Sequence, residues 1–480
     1  MLDNFFNVGG DSINAIYVVS ELEDAGFELQ VADIMQSDTL SGIAKAMKSI
    51  SNKDVYDQNE ITGIIPYSPI MCAYLNENNN EISKDFVHTC VISADCDENT
   101  TKKAIDILIS HHDILRGTFT DKGIEICRSD ERKAYSFESI TISDINEAKE
   151  QLMHTVLNEN KLVNIVFCET EHENLVAITV HHFLIDVVSW EVIMKDFATV
   201  VNQLKNNEAL CLPTKTASFK LWNEELNHYL EVMPAENKEY WTSINNQLDN
   251  AKSLSKNESE NEAENFSFTF SQDFSNKLSN EVNKTYGTRT NEILLTALGL
   301  ATGKLADGTV GIMVDGHGRT ELHKPIAVER TVGWFTSGYP VVINNNTDIA
   351  EELINVKETI RRIPNNGIEY LLLNNGFHKN TDIIFNFYKN SITNENRENK
   401  LIDFNGVRAV FPGKITVTCF ITDDSLSIDI SVPKCNHKQG ISEMLGSEFK
   451  NKIEELVNAC TMTDLKLVQT FLMMNLQKTN

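Results

Sequence analysis

The run HHFLIDVVSW, His181 to Trp190, sets two imidazoles side by side at the end of an apolar stretch. An imidazole is the side chain that changes protonation most readily near neutral pH. Successive residues of a strand point to opposite faces, so one of the pair can enter a cleft while the other packs. Asp186, four residues after His182, needs a cationic partner if it is buried, and Arg116 of HHDILRGTF offers one. VDGHGRT, Val314 to Thr320, puts the carboxylate of Asp315 directly after the apolar run VGIMV, with His317 and Arg319 in the same glycine-containing stretch. Composition alone makes that stretch a surface turn. Near the start of the chain GGDS leads into a helical pattern, where Ser12 or Asp11 would cap the free N–H groups.

These residues need elements to hold them. INAIYVVSELEDAGF has apolar positions Ile13, Ile16, Val19 and Leu22 at helical spacing, and LSGIAKAM repeats the pattern, so residues 1–50 form a small helical unit. The polar stretch 51–61 suits a linker. From about Pro66 strands and helices alternate: VHTCVISA, NIVFCET and NLVAITVHH are strands, and VSWEVIMKDFATVVNQL is a long helix. The hydrophilic segment AKSLSKNESENEAE, Ala251 to Glu264, marks the boundary between a lobe at 62–250 and another at 265–460. In the second lobe NEILLTALGLATGKL is a buried helix, VGIMVD a buried strand, and FITDDSLSIDISV a strand pair. The remaining 461–480 has Leu465, Val468, Leu472 and Met473 at helical spacing.

Four hundred and eighty residues with 41% hydrophobic content supply the core for such a body. Forty-two basic residues against 69 acidic ones leave a net charge of −27, which repels nucleic-acid backbones and anionic lipid surfaces, so neither nucleic acid nor membrane is expected as a partner. No apolar run approaches the ~20 residues that span a bilayer, and the first residues lack a signal-peptide pattern, so a cytoplasmic protein is expected. Nine cysteines without a CxxC pair read as small buried hydrophobes, and no metal site is expected.

Several segments together resemble nonribosomal peptide synthetases. FFNVGGDSINAI is similar to the phosphopantetheine attachment motif of peptidyl carrier domains, which implies 4′-phosphopantetheine carried covalently on Ser12 and a phosphopantetheinyl transferase as partner. Carrier domains of that kind have a further helix ahead of this motif, so residues 1–50 read as a partial carrier. HHFLIDVVSW resembles the HHxxxDG motif of condensation and epimerization domains, in which the second histidine faces the reaction; this selects His182 and leaves His181 structural. Similar domains pair the corresponding aspartate and arginine, here Asp186 and Arg116. VDGHGRT and RTVGWFT resemble two consecutive epimerization motifs, EGHGRE and its successor, and FNFYKN resembles FNYLG. The likeness runs from Pro66 to roughly Cys460.

The resemblance implies an α/β fold of two chloramphenicol-acetyltransferase-like lobes in a V, preceded by the partial helical carrier. It implies epimerization of the Cα of a carrier-bound L-aminoacyl or peptidyl thioester, with His182 and Asp315 catalytic and His181, Asp186, Arg116, His317, Arg319 and Asn386 in support. An upstream adenylation domain and a downstream condensation domain or subunit are the implied neighbours, with residues 461–480 a possible docking helix. Three positions depart from the family pattern: Val187 for glycine, Asp315 for glutamate, and Phe387 for tyrosine. Two other readings stand beside this one: a condensation-type acyltransferase that forms a peptide bond, and an epimerization-like domain that only docks the carrier.

Overall fold

A computed structural model describes residues 5, 10, 12–37, 39–49, 56–131, 133–158, 161–254, 263–283, 287–320, 322–344, 348–377, 379–389, 401–405, 411, 413–422, 425–433 and 440–461. The possible docking helix at 461–480 lies, after its first residue, outside the described residues.

The N-terminal unit consists of α1 (Ser12–Asp24), α2 (Val31–Gln36) and α3 (Leu40–Ala46) with a short ladder of β1 (Phe27–Glu28) and β2 (Lys48–Ser49). Ala15, Val19, Leu29, Ile34 and Ile43 meet in a core of their own, closed at one end by Phe5. Thr39 caps α3 by accepting from the Gly42 N–H at 3.1 Å.

The first lobe is built on a five-stranded sheet in the order β14-β4-β9-β8-β7, formed by β4 (Val87–Ala94), β7 (Ser136–Thr141), β8 (Val163–Glu169), β9 (Asn174–His181) and β14 (Leu401–Asn405). Residues Val163–Cys168 and Leu175–His181 are buried at every position, because the sheet is covered on both faces and needs no polar alternation. Over one face lie α4 (Pro69–Glu77), α5 (Glu98–His111) and α7 (Val187–Asn206); α6 (Ile145–Met153) closes a smaller cluster on the other with Val91, Val166 and Ala177. In α5 the buried positions Thr101, Ala104, Ile105, Leu108 and Ile109 follow the helical repeat, and Asp97 caps its start through Thr100 N–H. Three short strands, β3 (Gly63–Ile65), β5 (Gly117–Thr120) and β6 (Gly123–Ile126), form a side sheet.

The second lobe has a six-stranded sheet, β10-β16-β15-β13-β11-β12, from β10 (Ala263–Thr269), β11 (Val310–Gly316), β12 (Ser337–Ile343), β13 (Ile383–Lys389), β15 (Ile415–Thr422) and β16 (Ser425–Pro433). Its centre, β11-β13-β15, is parallel and its flanks are antiparallel. The apolar helix Thr290–Ala306 packs on the sheet with nearly all of its first fourteen residues buried. Several ties cross between lobes. Strand β14, which follows β13 in sequence, pairs with β4 of the first lobe. The helices Phe219–Val232 and Ala235–Leu248 send Tyr229, Asn237 and Trp241 to hydrogen-bond the fully buried Glu369 of the second lobe. One contiguous apolar core accordingly runs through both lobes.

Cys90, Cys168 and Cys419 are buried as expected of small hydrophobes, but Cys211 is exposed in the loop after α7. No helix among the described residues is long and apolar enough to cross a membrane.

Candidate active site

Strand β9 ends at His181, and the chain turns at once into a short 3-10 helix, His182–Leu184. His181 is fully engaged: its Nδ1 accepts the Phe183 N–H at 3.1 Å, so Nε2 carries the proton and donates to the Ser83 carbonyl at 3.2 Å. Burial pushes its pKa down to about 3. His182 is engaged on one side only. Its Nδ1 lies 2.7 Å from the Ile185 carbonyl, which can only accept, so the hydrogen sits on Nδ1 and Nε2 presents a lone pair. The ring stands among His88, Trp334 and Phe86, with centroids 4.0, 4.4 and 4.8 Å away. This desolvation pushes the His182 pKa down to about 4, against the opposing pull of the Ile185 carbonyl and Asp186. The imidazole is neutral at pH 7 and keeps partial exposure.

His88 has no counterpart among the residues singled out from sequence. It lies buried in β4, stacked on His182, and its Nδ1 accepts the Trp190 indole N–H at 3.2 Å. A lone histidine inside an apolar strand carries no signal of that role.

The partner of Asp186 differs from the expected one. Arg116 is committed elsewhere: it pairs with Asp113, three residues back on the same turn, at 2.7 Å. It also donates to the carbonyls of Ile109, Ser110, Cys127 and Ile61. With all its donors used locally, it has none left for Asp186. Asp186 instead caps α7 through the Ser189 N–H (2.7 Å) and hydroxyl (2.6 Å) and accepts the Phe335 N–H at 3.2 Å. Its cation is Arg319 of the second lobe, whose Nη2 lies 2.9 and 3.1 Å from the two carboxylate oxygens. Arg319 also donates to the Val328 and Thr331 carbonyls and lies over the Phe335 ring. Asp186 and Arg319 therefore serve as architecture.

Asp315 stands on β11, where the parallel register Val314↔Phe385 sets it beside Asn386 of β13. The Asn386 amide, with its nitrogen toward the carboxylate, donates to Asp315 Oδ2 at 2.6 Å. Across the other edge Asp315 faces Gly338, which has no side chain to crowd it. Burial raises the Asp315 pKa to about 7, while the side chain retains some exposure. In the following turn the His317 Nδ1 accepts the Arg319 N–H at 3.1 Å, and burial followed by the Arg319 charge pushes its pKa down to about 4. Gly318 has φ +66, and a Cβ there would lie 1.6 Å from the Phe335 carbonyl oxygen, so only glycine fits. Phe387 lies on the face of β13 away from Asp315 and packs into the core, so its missing hydroxyl takes nothing from the Asp315 face.

The segment Trp334–Gly338 joins the two halves: Trp334 stacks on His182 and Gly338 pairs with Asp315. Four residues of chain span at most roughly 14 Å. An imidazole with an open lone pair and a carboxyl group titrating near neutrality thus stand on opposite lobes of one junction. Such a pair can lift a proton from carbon on one side and return one on the other.

One further group lies nearby. His111, His112 and Asp196 bring their ligand atoms within 4.8 Å of one another, the only such cluster among the described residues. Asp196 is already bound there, to His112 at 3.0 Å and to Arg330 at 2.6 Å, and the guanidinium charge disfavours a metal ion at that carboxylate.

In the N-terminal unit Ser12 opens the thirteen-residue α1, and Gly10 before it has no room for a side chain against the Phe5 ring. A helix start of this kind suits a phosphodiester, since its first N–H groups and its dipole both favour an anion. The same helix touches the first lobe: Lys195 of α7 pairs with Glu21 at 2.5 Å and lies over Tyr17.

Known proteins share both parts. Residues 63–475 match the condensation domain family and residues 2–47 match the phosphopantetheine attachment site family. The chain is 30% identical to gramicidin S synthase 1 of Brevibacillus brevis over 77% of its own length and 35% of that protein, and 30% identical to tyrocidine synthase 1 of Brevibacillus parabrevis over 77% and 36%. Surfactin synthase subunit 2 of Bacillus subtilis is again 30% identical, with 77% of this chain covering 11% of that protein. The chain thus spans between a tenth and somewhat over a third of these relatives. In structure it is similar to the epimerization domain from the third module of tyrocidine synthetase B, with a TM-score of 0.71 at 23% identity, covering 84% of this chain and 99% of that one. The condensation domain of the Monacolin K polyketide synthase gives 0.66 at 14% identity, covering 83% and 98%. The two lobes and their junction are those of the condensation-domain fold, and with a phosphopantetheine attachment domain ahead of it this chain belongs to the condensation-domain family of nonribosomal peptide synthetases.

Proposed function

We propose that the chain epimerizes the Cα of an aminoacyl or peptidyl thioester carried on Ser12. The observation that supports this most is the pairing of pKa directions across the junction: His182 is held neutral with Nε2 open, and Asp315 keeps its proton up to about pH 7. The two groups together hold one proton, placed on the carboxyl. A Cα next to a thioester is a weak acid, so its proton leaves only to a placed base, with a second group ready to return one. His182 Nε2 takes the proton from one face and Asp315 gives its own to the other, inverting the carbon. The phosphopantetheine arm supplies a long tether ending in the thioester; this chain's residues do the proton handling.

Asn386 aims the Asp315 carboxyl, and His181 fixes the backbone turn from which His182 projects. The tyrocidine synthetase B likeness and the paired segments VDGHGRT and RTVGWFT favour epimerization over peptide-bond formation, in which His182 would assist an attacking amine instead.

The test uses the full chain loaded on Ser12 from L-aminoacyl coenzyme A by a phosphopantetheinyl transferase, in deuterated buffer. Deuterium at the α-position together with D-product is expected. The substitutions His182→Ala and Asp315→Ala are each expected to lower exchange by about 10²-fold or more. Undiminished exchange in both would refute the assignment. Peptide formed from two loaded carriers without exchange would favour the acyltransferase.

A further inference from the structure

The pleat of β13 places alternate residues on one face of the second-lobe sheet. Asn386 is on the face of Asp315, Phe387 is on the reverse, and Tyr388 returns to the Asp315 face one step nearer the C-terminal end of the parallel strands. Ligands of open sheets gather at that end. Tyr388 keeps partial exposure, and its hydroxyl makes no hydrogen bond to a described residue. It is close enough to Asp315 and Asp186 to feel both carboxylates; burial first, and then these charges, push the phenol above its usual range, so it stays a donor at any working pH. The Asn386 amide nitrogen is already occupied by Asp315 Oδ2 and the Phe385 carbonyl. Tyr388 is then the donor on β13 still open to a ligand on this face. Tyr339, the other phenol that feels Asp315, sits on the Val314 face of β12 and packs against Gly367.

Removing a proton from Cα moves the C–H electron pair through the carbonyl carbon onto the thioester oxygen, two bonds away, and that oxygen needs a donor. We propose that Tyr388 is this donor, its O–H bonded to the carbonyl oxygen of the thioester and to the enolate oxygen formed from it. This rests on the epimerization reading above. The proton of Cα goes to His182 Nε2, the electron pair goes to oxygen, and the phenol keeps its own proton. When the carbonyl re-forms, the pair returns to carbon and takes the proton of Asp315 on the opposite face.

The test is α-hydrogen exchange by the full chain acting on soluble L-aminoacyl pantetheine thioesters of the standard amino acids, comparing wild type with Tyr388→Phe. The kcat is expected to fall by about 10²- to 10³-fold with KM changed less than about threefold. Because the hydroxyl bonds no described residue, the melting temperature should not move, and the alkaline limb of the pH profile should stay with Asp315. A wild type that exchanges while Tyr388→Phe keeps full kcat, changes only KM, or shifts that limb overturns this role and leaves epimerization standing. A wild type that exchanges no thioester overturns both.

Discussion

Asp186 and Arg319 form a buried ion pair between the lobes, and each stands four residues beyond one of the proposed acid–base groups: Asp186 after His182, Arg319 after Asp315. Both side chains are almost fully buried; Ser189 and Phe335 also hydrogen-bond Asp186, and the Val328 and Thr331 carbonyls accept from Arg319. The pair fixes how far apart the imidazole and the carboxyl are held. Removing either member leaves an uncompensated buried charge, so Asp186→Ala and Arg319→Ala should each destabilise the fold by about 3–5 kcal/mol. The double variant should lose less than the sum of the two, because it strands no charge. Urea unfolding of the three variants measures this, and additive losses would mean that the two residues act independently.

The pH dependence of exchange follows from the two shifted groups. Below about 4 His182 takes up a proton and cannot act as base; above about 7 Asp315 loses the proton it must return. The kcat should therefore be bell-shaped between these values. Removing the Asn386 donor withdraws support from the ionised carboxylate, so Asn386→Ala should move the alkaline limb upward. A profile flat through pH 7, or a limb that moves down in Asn386→Ala, would contradict the assignment.

Much of this was legible in the sequence because strand alternation and helical period are local. VHTCVISA is β4 residue for residue, and NLVAITVHH is β9 run one residue into the 3-10 turn. The motif order placed Asp315 and His182 on separate elements, and the spacing of β11 against β13 then brought Asn386 to Asp315. The partner of Asp186 was not legible, since Arg116 and Arg319 are both arginines in suitable motifs and only the packing shows that Asp113 has already claimed one of them. His88 and Tyr388 were missed for the same reason. Their importance comes from neighbours 94 and 73 positions away, His182 (182 − 88) and Asp315 (388 − 315), and no local pattern announces it.

Acid should weaken the fold through its buried histidines. His111 and His181, with pKa values pushed to about 3, and His182 and His317, pushed to about 4, are neutral in the native protein. In the unfolded chain each returns toward its ordinary 6.5 and binds a proton below that value. The unfolded state then holds more protons, so stability present above about pH 6.5 is lost as pH falls toward 4. Asp315, Glu292 and Glu352 run the other way, their raised pKa values favouring the fold at low pH, but they are three groups against five histidines, since burial pushes His88 down as well. Urea midpoints at pH 7 and pH 5 should differ, the lower pH giving the lower midpoint. Equal midpoints would show that these histidines are protonated in the native state.

Gly318 ties backbone geometry to the site. It lies between Asp315 and Arg319, its φ of +66 is in the left-handed region, and a Cβ there would meet the Phe335 carbonyl oxygen at 1.6 Å and its carbon at 2.6 Å. The obstruction is main chain, which cannot swing aside as a side chain would. Phe335 is also the residue whose N–H reaches Asp186 and whose ring lies under Arg319, so pushing it away loosens the inter-lobe pair. Gly318→Ala should therefore destabilise the protein by at least about 2 kcal/mol. It should lower exchange by more than that loss explains at a temperature where the variant is still folded, since the turn carries Asp315. Gly26 is the comparison: its φ is +88, but nothing lies within 4 Å of a Cβ there. Gly26→Ala should bring only the left-handed strain, about 1 kcal/mol, and leave exchange unchanged. Equal losses at the two positions would remove the steric argument for the turn.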